Sequence, residues 1–205
     1  MKICGVDDAG RGSMLGPLVI SGISIEKKNI RKLTKLGVKD SKKLTAKKRQ
    51  ELFKEIIKIV DDYYIAKITP KSIDSSVKKH ALNELEAKYM AKVVSKLNPD
   101  TSYVDSCDVN PKRFGEEISK MSNNHKIKSY HHADSKYVVV SAASILSKVT
   151  RDKAIEKLQK DYPVGSGYPS DSKTVSFVSD FYKKNGKMPT FVRKSWKPVQ
   201  EMMGV

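Results

Sequence analysis

Apolar residues change their spacing along this chain, and each change marks an element. Residues 2–7 and 17–25 are rich in Ile and Val and flank a Gly-rich turn, which predicts two strands arranged as a hairpin. Thr45 stands before a pattern that runs to about Val60 with Leu52, Phe53, Ile56, Ile57 and Val60 on one face, the periodicity of a helix capped by Thr45. Tyr63 to Thr69 alternates as a strand. Pro70, suited to a first helical position, opens a long helical pattern to Leu97. Ser102 to Asp105 reads as a short buried strand, Phe114 to Met121 as a helix and Lys126 to Ser129 as a brief edge strand.

Residues 138–160 form another expected helix, with Ser141, Ala142, Ala143 and Ser144 near its start; residues this small predict close packing on a sheet. Gly165 to Ser172 is a loop, and two helical segments follow, around 172–184 and 190–203. A hairpin first, then strands alternating with helices, points to an α/β fold: a mixed sheet with helices on its faces and a small helical C-terminal cap. The expected division is 1–160 for the sheet domain and 161–205 for the loop and helical region packed on it.

Composition narrows the class. The 205 residues are 39% hydrophobic, enough for a real core, and no run approaches the roughly 18 apolar residues of a membrane helix. Met1-Lys2-Ile3-Cys4-Gly5 leads straight into a strand without a signal core, so a cytoplasmic location is expected. Cys4 and Cys107 make neither a metal-spacing motif nor a disulfide framework; they read as small buried residues in a reduced compartment. Charge changes the picture most. Forty Lys and Arg against 23 Asp and Glu give a net charge of +17, which favours a polyanionic partner, nucleic acid first.

The candidate chemistry lies in acids at strand ends. Asp7 and Asp8 close the first strand, just before Ala9-Gly10-Arg11-Gly12, and Asp105 closes the fourth. Asp134 stands in the polar loop His131-His132-Ala133-Asp134-Ser135-Lys136 before a helix. Strand ends present side chains where ligands bind in α/β proteins. Four carboxylates converging there would repel one another without cations between them. Hard oxygen donors suit Mg2+ or Mn2+, and a pair of such ions can serve both sides of a phosphodiester. Taken singly, Asp40 and Asp108 read as loop or capping residues, and Asp152 as a partner of Arg151 or Lys148.

Five blocks, in order from residue 5 to residue 171, resemble the motifs of type 2 ribonucleases H in their archaeal form. They are Gly5-Val6-Asp7-Asp8-Ala9-Gly10-Arg11-Gly12, Asp40-Ser41-Lys42-Lys43-Leu44 and Tyr103-Val104-Asp105-Ser106-Cys107-Asp108-Val109. Ala133-Asp134-Ser135-Lys136-Tyr137 continues through Ser141-Ala142-Ala143-Ser144-Ile145 to Lys148-Val149-Thr150-Arg151-Asp152, and the last is Gly165-Ser166-Gly167-Tyr168-Pro169-Ser170-Asp171. The resemblance implies a ribonuclease H-like fold in a single-chain enzyme, expected to act as a monomer. It implies a two-metal endonuclease that cuts the RNA strand of RNA–DNA hybrids and cuts at ribonucleotides embedded in duplex DNA, leaving a 3′-hydroxyl and a 5′-phosphate. Roles in DNA replication and ribonucleotide excision repair would follow. It assigns metal-binding, catalytic acids to Asp7, Asp8, Asp105 and Asp134. It assigns recognition of the ribose 2′-hydroxyl to Gly10, Arg11, Gly12 and Tyr168; Lys42, which lies within the second motif, is read separately as a candidate phosphate contact.

One departure stands out: the family usually has Glu where this chain has Asp8, an acid shorter by one methylene. An impaired or non-catalytic nucleic-acid binder on the same fold is therefore the second reading. A resolvase- or transposase-like enzyme needs clustered acids but neither Gly-Arg-Gly nor Tyr168. Lys43, Lys136, Lys148 and Arg151 stand between phosphate contacts and plain charges, and His131 and His132 read as loop residues. Trp196 reads as core of the cap. Gln200 and Met203 begin something like a sliding-clamp peptide, but no terminal aromatics follow before Val205, so no clamp partner is expected.

Overall fold

The computed structural model describes residues 1–38, 44–123 and 125–205. Five strands, β1 (Lys2–Ala9), β2 (Leu18–Glu26), β3 (Asp62–Ile68), β4 (Thr101–Asp105) and β5 (Ile127–Tyr130), form one mixed sheet in the order β3-β2-β1-β4-β5. β4 runs parallel to both β1 and β5. The α-helices among the described residues are α1 (Ile30–Lys35), α2 (Ala46–Ile59), α3 (Pro70–Val77), α4 (Leu82–Leu97), α5 (Pro111–Met121), α6 (Ala133–Lys136), α7 (Val138–Gln159), α8 (Ser172–Asn185) and α9 (Lys197–Met203). No helix among them is long and apolar enough to cross a membrane.

The chain falls into two compact units that interleave in sequence. One holds Met1–Ala9, Ile20–Ala66 and Asn83–Val149; the other holds Gly10–Val19, Lys67–Leu82 and Thr150–Val205. This spatial division follows different lines from the chain-order one at residue 160, because β2, β3 and α7 each contribute residues to both units.

In the first unit, strand alternation sends Ile3, Ile23 and Ile25 into a core with Leu33 of α1, Leu52 and Ile56 of α2, and Val139, Val140, Ala142, Ile145 and Leu146 of α7. The small residues of α7 are there for contact. A Cβ on Gly5 would lie 2.2 Å from the carbonyl carbon and oxygen of Val139, so strand and helix meet backbone to backbone. Ser21 adds a hydroxyl donated to the Ala143 carbonyl at 2.7 Å. Cys4 is buried in the same strand, and burial pushes its thiol up to about 12, the behaviour of an inert core residue. The second unit has its own core, where Met14, Leu15, Ile155, Val164, Phe177, Val178 and Val199 meet and Trp196 packs against them.

Three expectations change. The helix expected from Pro70 to Leu97 is two, because α3 ends in a Schellman turn. His80 is left-handed (φ 55°), with its N–H donated to the Val77 carbonyl at 2.9 Å and the Ala81 N–H to the Ser76 carbonyl at 3.0 Å. The segment 190–203 is helical only over Lys197–Met203, since the residues before it form turns around an isolated bridge to the segment after Gly12: Leu15 bridges Val192, and the Arg193 N–H reaches the Met14 carbonyl at 2.9 Å. The polar loop 131–136 contains α6, entered through a left-handed His132 (φ 55°). Thr45 caps α2 as expected, its hydroxyl accepting from the Lys48 N–H.

Gly5→Ala tests the contact between β1 and α7. Overpacking against rigid backbone should remove about 3 kcal/mol or prevent folding. Gly12→Ala, with nothing within 4 Å of its Cβ, should leave the denaturation midpoint unchanged. Chemical denaturation followed by circular dichroism reads both.

Candidate active site

The carboxylates come together through register. β1 and β4 pair up to Val6 and Val104, so the next residue on each strand is an aspartate, Asp7 beside Asp105. By alternation Asp7 shares the face of Ile3 and Gly5, the face that α7 covers. Asp7 is only 4% exposed and is hydrogen-bonded to Ser144 of α7. Its Oδ1 also accepts the Asp8 N–H at 2.8 Å. Burial, then the negative charges of Asp8 and Asp105, raise the Asp7 carboxyl well above its ordinary value; the Ser144 and Asp8 hydrogen bonds offset part of this.

Asp105 Oδ1 accepts the Ala133 N–H at 2.6 Å, which fixes the entry to α6 against the end of β4. Asp134, the next residue, is buried in the first turn of α6. Asp8 is half-buried, and alternation starts its side chain on the opposite face of β1 from Asp7. Among the described residues, no group of three or more His, Cys, Asp or Glu side chains is already arranged to hold a metal ion. What the structure gathers is a buried, mutually repelling set around Asp7, joined through Asp105 to α6. These are hard oxygen donors around a carboxylate whose charge is unfavourable where it sits, a donor set that fits Mg2+ or Mn2+.

The second unit holds Gly10, Arg11, Gly12 and Tyr168. Gly10 is left-handed (φ 86°), and a side chain there would meet Arg151 Cγ and the Pro17 carbonyl, both at 3.1 Å. A Cβ added at Gly12 would meet nothing within 4 Å, so that position faces open space. Buried Arg193, which sequence reasoning passed over, donates from Nη1 to the Arg11 carbonyl at 2.8 Å and from Nε to the Gly16 carbonyl at 3.2 Å. Only its place next to a tryptophan-containing segment signalled it, and its guanidinium does lie over the Trp196 ring, 4.9 Å from the centroid. Ser13 was also missed: its backbone neighbours Met14 and Leu15 donate to the Gly167 carbonyl at 2.8 and 3.3 Å, joining the Gly-rich turn to the Tyr168 loop.

That loop is pinned by Asp171, whose Oδ2 accepts the Ser166 N–H at 2.6 Å, and by Thr174, whose hydroxyl oxygen accepts the Gly167 N–H at 2.9 Å. The Ser166 N–H and hydroxyl, with the Lys173 and Thr174 N–H groups, hold the Asp171 carboxyl below its ordinary value. Tyr168 is half-buried with the Arg151 guanidinium over its ring, 4.2 Å from the centroid. Arg151 itself is 2% exposed, which removes it from the candidate phosphate contacts, and it pairs with Asp152 at 3.1 Å. Asp108 is structural: it accepts the Asn110 N–H and pairs with Arg113 at 2.6 Å. His131 and His132 are exposed. Lys42, with Asp40, Ser41 and Lys43 of the second motif, lies outside the described residues.

Comparison with known proteins adds to this geometry. The family model described as Ribonuclease HII matches residues 4–199. A ribonuclease HII of Cenarchaeum symbiosum is 56% identical over 200 residues, covering 98% of this chain and 97% of its own. The crystal structure of ribonuclease H2 from Pyrococcus horikoshii superposes with a TM-score of 0.93 at 46% identity, covering 100% of this chain and 98% of that one. Ribonuclease HII from Archaeoglobus fulgidus, solved in a complex with PCNA, superposes with a TM-score of 0.89 at 38% identity, covering 98% and 96%.

The raised Asp7 carboxyl has a measurable sign. Folded Asp7 holds its proton more readily than the unfolded chain does, so in metal-free protein its charge lowers stability as pH rises from the ordinary carboxylate value through the raised one. Asp7→Asn should therefore raise the metal-free melting temperature at neutral pH by a few degrees. The gain should vanish as pH falls to the ordinary carboxylate range. Calorimetry of both proteins in chelator across that range checks it.

Proposed function

The chain belongs to the ribonuclease HII family and is a hydrolytic endonuclease of the ribonuclease H kind; from that premise we propose that it cuts RNA–DNA hybrids and cuts at ribonucleotides embedded in duplex DNA, using two divalent ions held by Asp7, Asp8, Asp105 and Asp134. The observation that carries the metal reading is the buried Asp7 carboxylate beside Asp8 and Asp105, an arrangement that costs energy unless a cation offsets it. Mg2+ or Mn2+, when bound, supplies an activated water and a counter-charge for the leaving oxygen.

This chain's own residues do the rest. Asp7 contributes a carboxylate shielded from water, and Asp105 one whose direction is set by the Ala133 N–H. Hydrolysis breaks the bond between phosphorus and the 3′-oxygen, leaving a 3′-hydroxyl and a 5′-phosphate. The open position at Gly12, with Gly10 and Arg11, reads the sugar edge, and the Tyr168 ring packs on the ribose carrying the 2′-hydroxyl. Lys42 is a proposed phosphate contact. The net charge of +17 draws in the duplex. Cytoplasmic work in DNA replication and ribonucleotide excision repair fits that substrate. The division at residue 160 is kept as a functional one, with the carboxylates before it and the Tyr168 loop after it. A complex with PCNA is known for the Archaeoglobus relative; direct binding of this chain to a sliding clamp decides whether it shares that partner.

One assay tests the proposal. All-DNA duplex, RNA–DNA hybrid and duplex DNA with one ribonucleotide are offered with Mg2+ or Mn2+ and with excess chelator. The second and third should be cut only with metal, and the first never. Cutting in excess chelator would sink the metal reading; cutting of all-DNA duplex would favour a resolvase-like enzyme; no cutting at all would favour the non-catalytic reading.

Asp8→Glu should keep or raise the rate, since one more methylene lets a carboxylate that starts on the far face of β1 reach further. A folded but inactive Asp8→Glu protein would mean that the pocket is built around the shorter acid.

A further inference from the structure

A buried arginine links the two segments to which sugar recognition is assigned. Arg151 lies on the last turns of α7 and is 2% exposed. Its Nη2 donates to the Ser13 hydroxyl at 2.8 Å and to the Ser166 carbonyl at 2.6 Å, while Nη1 pairs with Asp152 at 3.1 Å. One hydrogen bond thus grips the Gly-rich turn and the other grips the Tyr168 loop. The same guanidinium lies over the Tyr168 ring, 4.2 Å from the centroid.

Two glycines give way to this side chain. A Cβ on left-handed Gly10 would come within 3.1 Å of Arg151 Cγ, and one on left-handed Gly167 within 2.8 Å of its Nη2. The backbone of both segments is thus shaped around one arginine. A core role alone fits poorly. Arg151 Nε is buried with no acceptor among the described residues, a cost that an apolar side chain of similar length would avoid. Only a planar fork can bond two loops and still stack on an aromatic face; an ammonium cannot do all three.

We propose that Arg151 is a positioning residue for ribose discrimination: it fixes the plane of the Tyr168 ring and ties that ring to the Gly10–Gly12 turn. The inference rests on the sugar-sensing role proposed above for Tyr168. Arg151 touches neither substrate nor metal; it acts through the tyrosine. Its loss should therefore weaken cutting where one sugar must be found more than where every sugar on a strand is ribose.

The test is a double-mutant cycle. Wild type, Arg151→Met, Tyr168→Ala and the double variant are compared on duplex DNA with one ribonucleotide and on RNA–DNA hybrid, with thermal unfolding followed alongside. Arg151→Met should cut the single-ribonucleotide substrate roughly 2- to 30-fold less efficiently relative to the hybrid, the range of a buried cation–π contact. In the Tyr168→Ala background the same substitution should change that ratio little, because the group it acts through is gone. Arg151→Lys should restore part of the selectivity, and it carries the cycle alone should Arg151→Met not fold. Equal losses on both substrates, or effects that add to those of Tyr168→Ala, overturn the inference and leave Arg151 a stabilising residue. If Tyr168→Ala alone leaves selectivity unchanged, the sugar-sensing role of Tyr168 fails first and the inference falls with it. If Tyr168→Ala is selective and Arg151→Lys matches wild type, only the inference fails.

Discussion

At Gly5 the backbone of β1 touches the backbone of α7 with no room for a single carbon between them. Much in the first unit depends on that approach. It requires the small residues at the start of α7 and is reinforced by the Ser21 hydroxyl on the Ala143 carbonyl. It carries Ser144 down onto the end of β1, where it hydrogen-bonds Asp7. A larger side chain at residue 5 would lift the helix and remove the cover that buries Asp7. The buried Asp7 carboxylate and the strand–helix contact are thus one structural decision, made two residues apart on the same face of one strand.

Burying Asp7 beside two other acids works against folding. The surrounding core, from Ile3, Ile23 and Ile25 to Val140, Ile145 and Leu146, supplies the apolar contact that outweighs it. Placing the strain at a strand end has a physical logic. The sheet holds Asp7 and Asp105 side by side through backbone hydrogen bonds, so their repulsion cannot relax by moving the strands apart. A cation is then favoured by the protein's own electrostatics, beyond its affinity for any single carboxylate.

The second unit solves a different problem. Met14 and Leu15 after its Gly-rich turn pack into the core, while polar side chains hold the turn itself and the Tyr168 loop. Arg193 binds the Arg11 and Gly16 carbonyls, Arg151 binds Ser13 and Ser166, and Asp171 and Thr174 satisfy the N–H groups of Ser166 and Gly167. Two arginines in a basic chain are thereby taken from the surface and used as internal struts. Net charge overstates the positive surface of such a protein by its buried share.

Much of this was legible from the chain alone. Alternation in Lys2–Ala9 and Leu18–Glu26, the cap at Thr45, the small residues of α7 and the run of motifs from Gly5 to Asp171 marked the strands, one helix start, the sheet contact and the candidate acids, because each depends on neighbours a few residues apart. The break between α3 and α4 was not legible: a left-handed His80 ends the helix where no glycine or proline announces it. The bridge at Val192 was also hidden, since its partners are at Leu15 and Met14. Sequence placed Asp7 and Asp105 at strand ends; only the tertiary structure made β1 and β4 neighbours in a register that sets the two acids side by side. The same holds for Arg151, a plain charge in the chain and a buried strut in the fold. Register and burial are set by contacts between residues far apart in the chain, and no local pattern carries them.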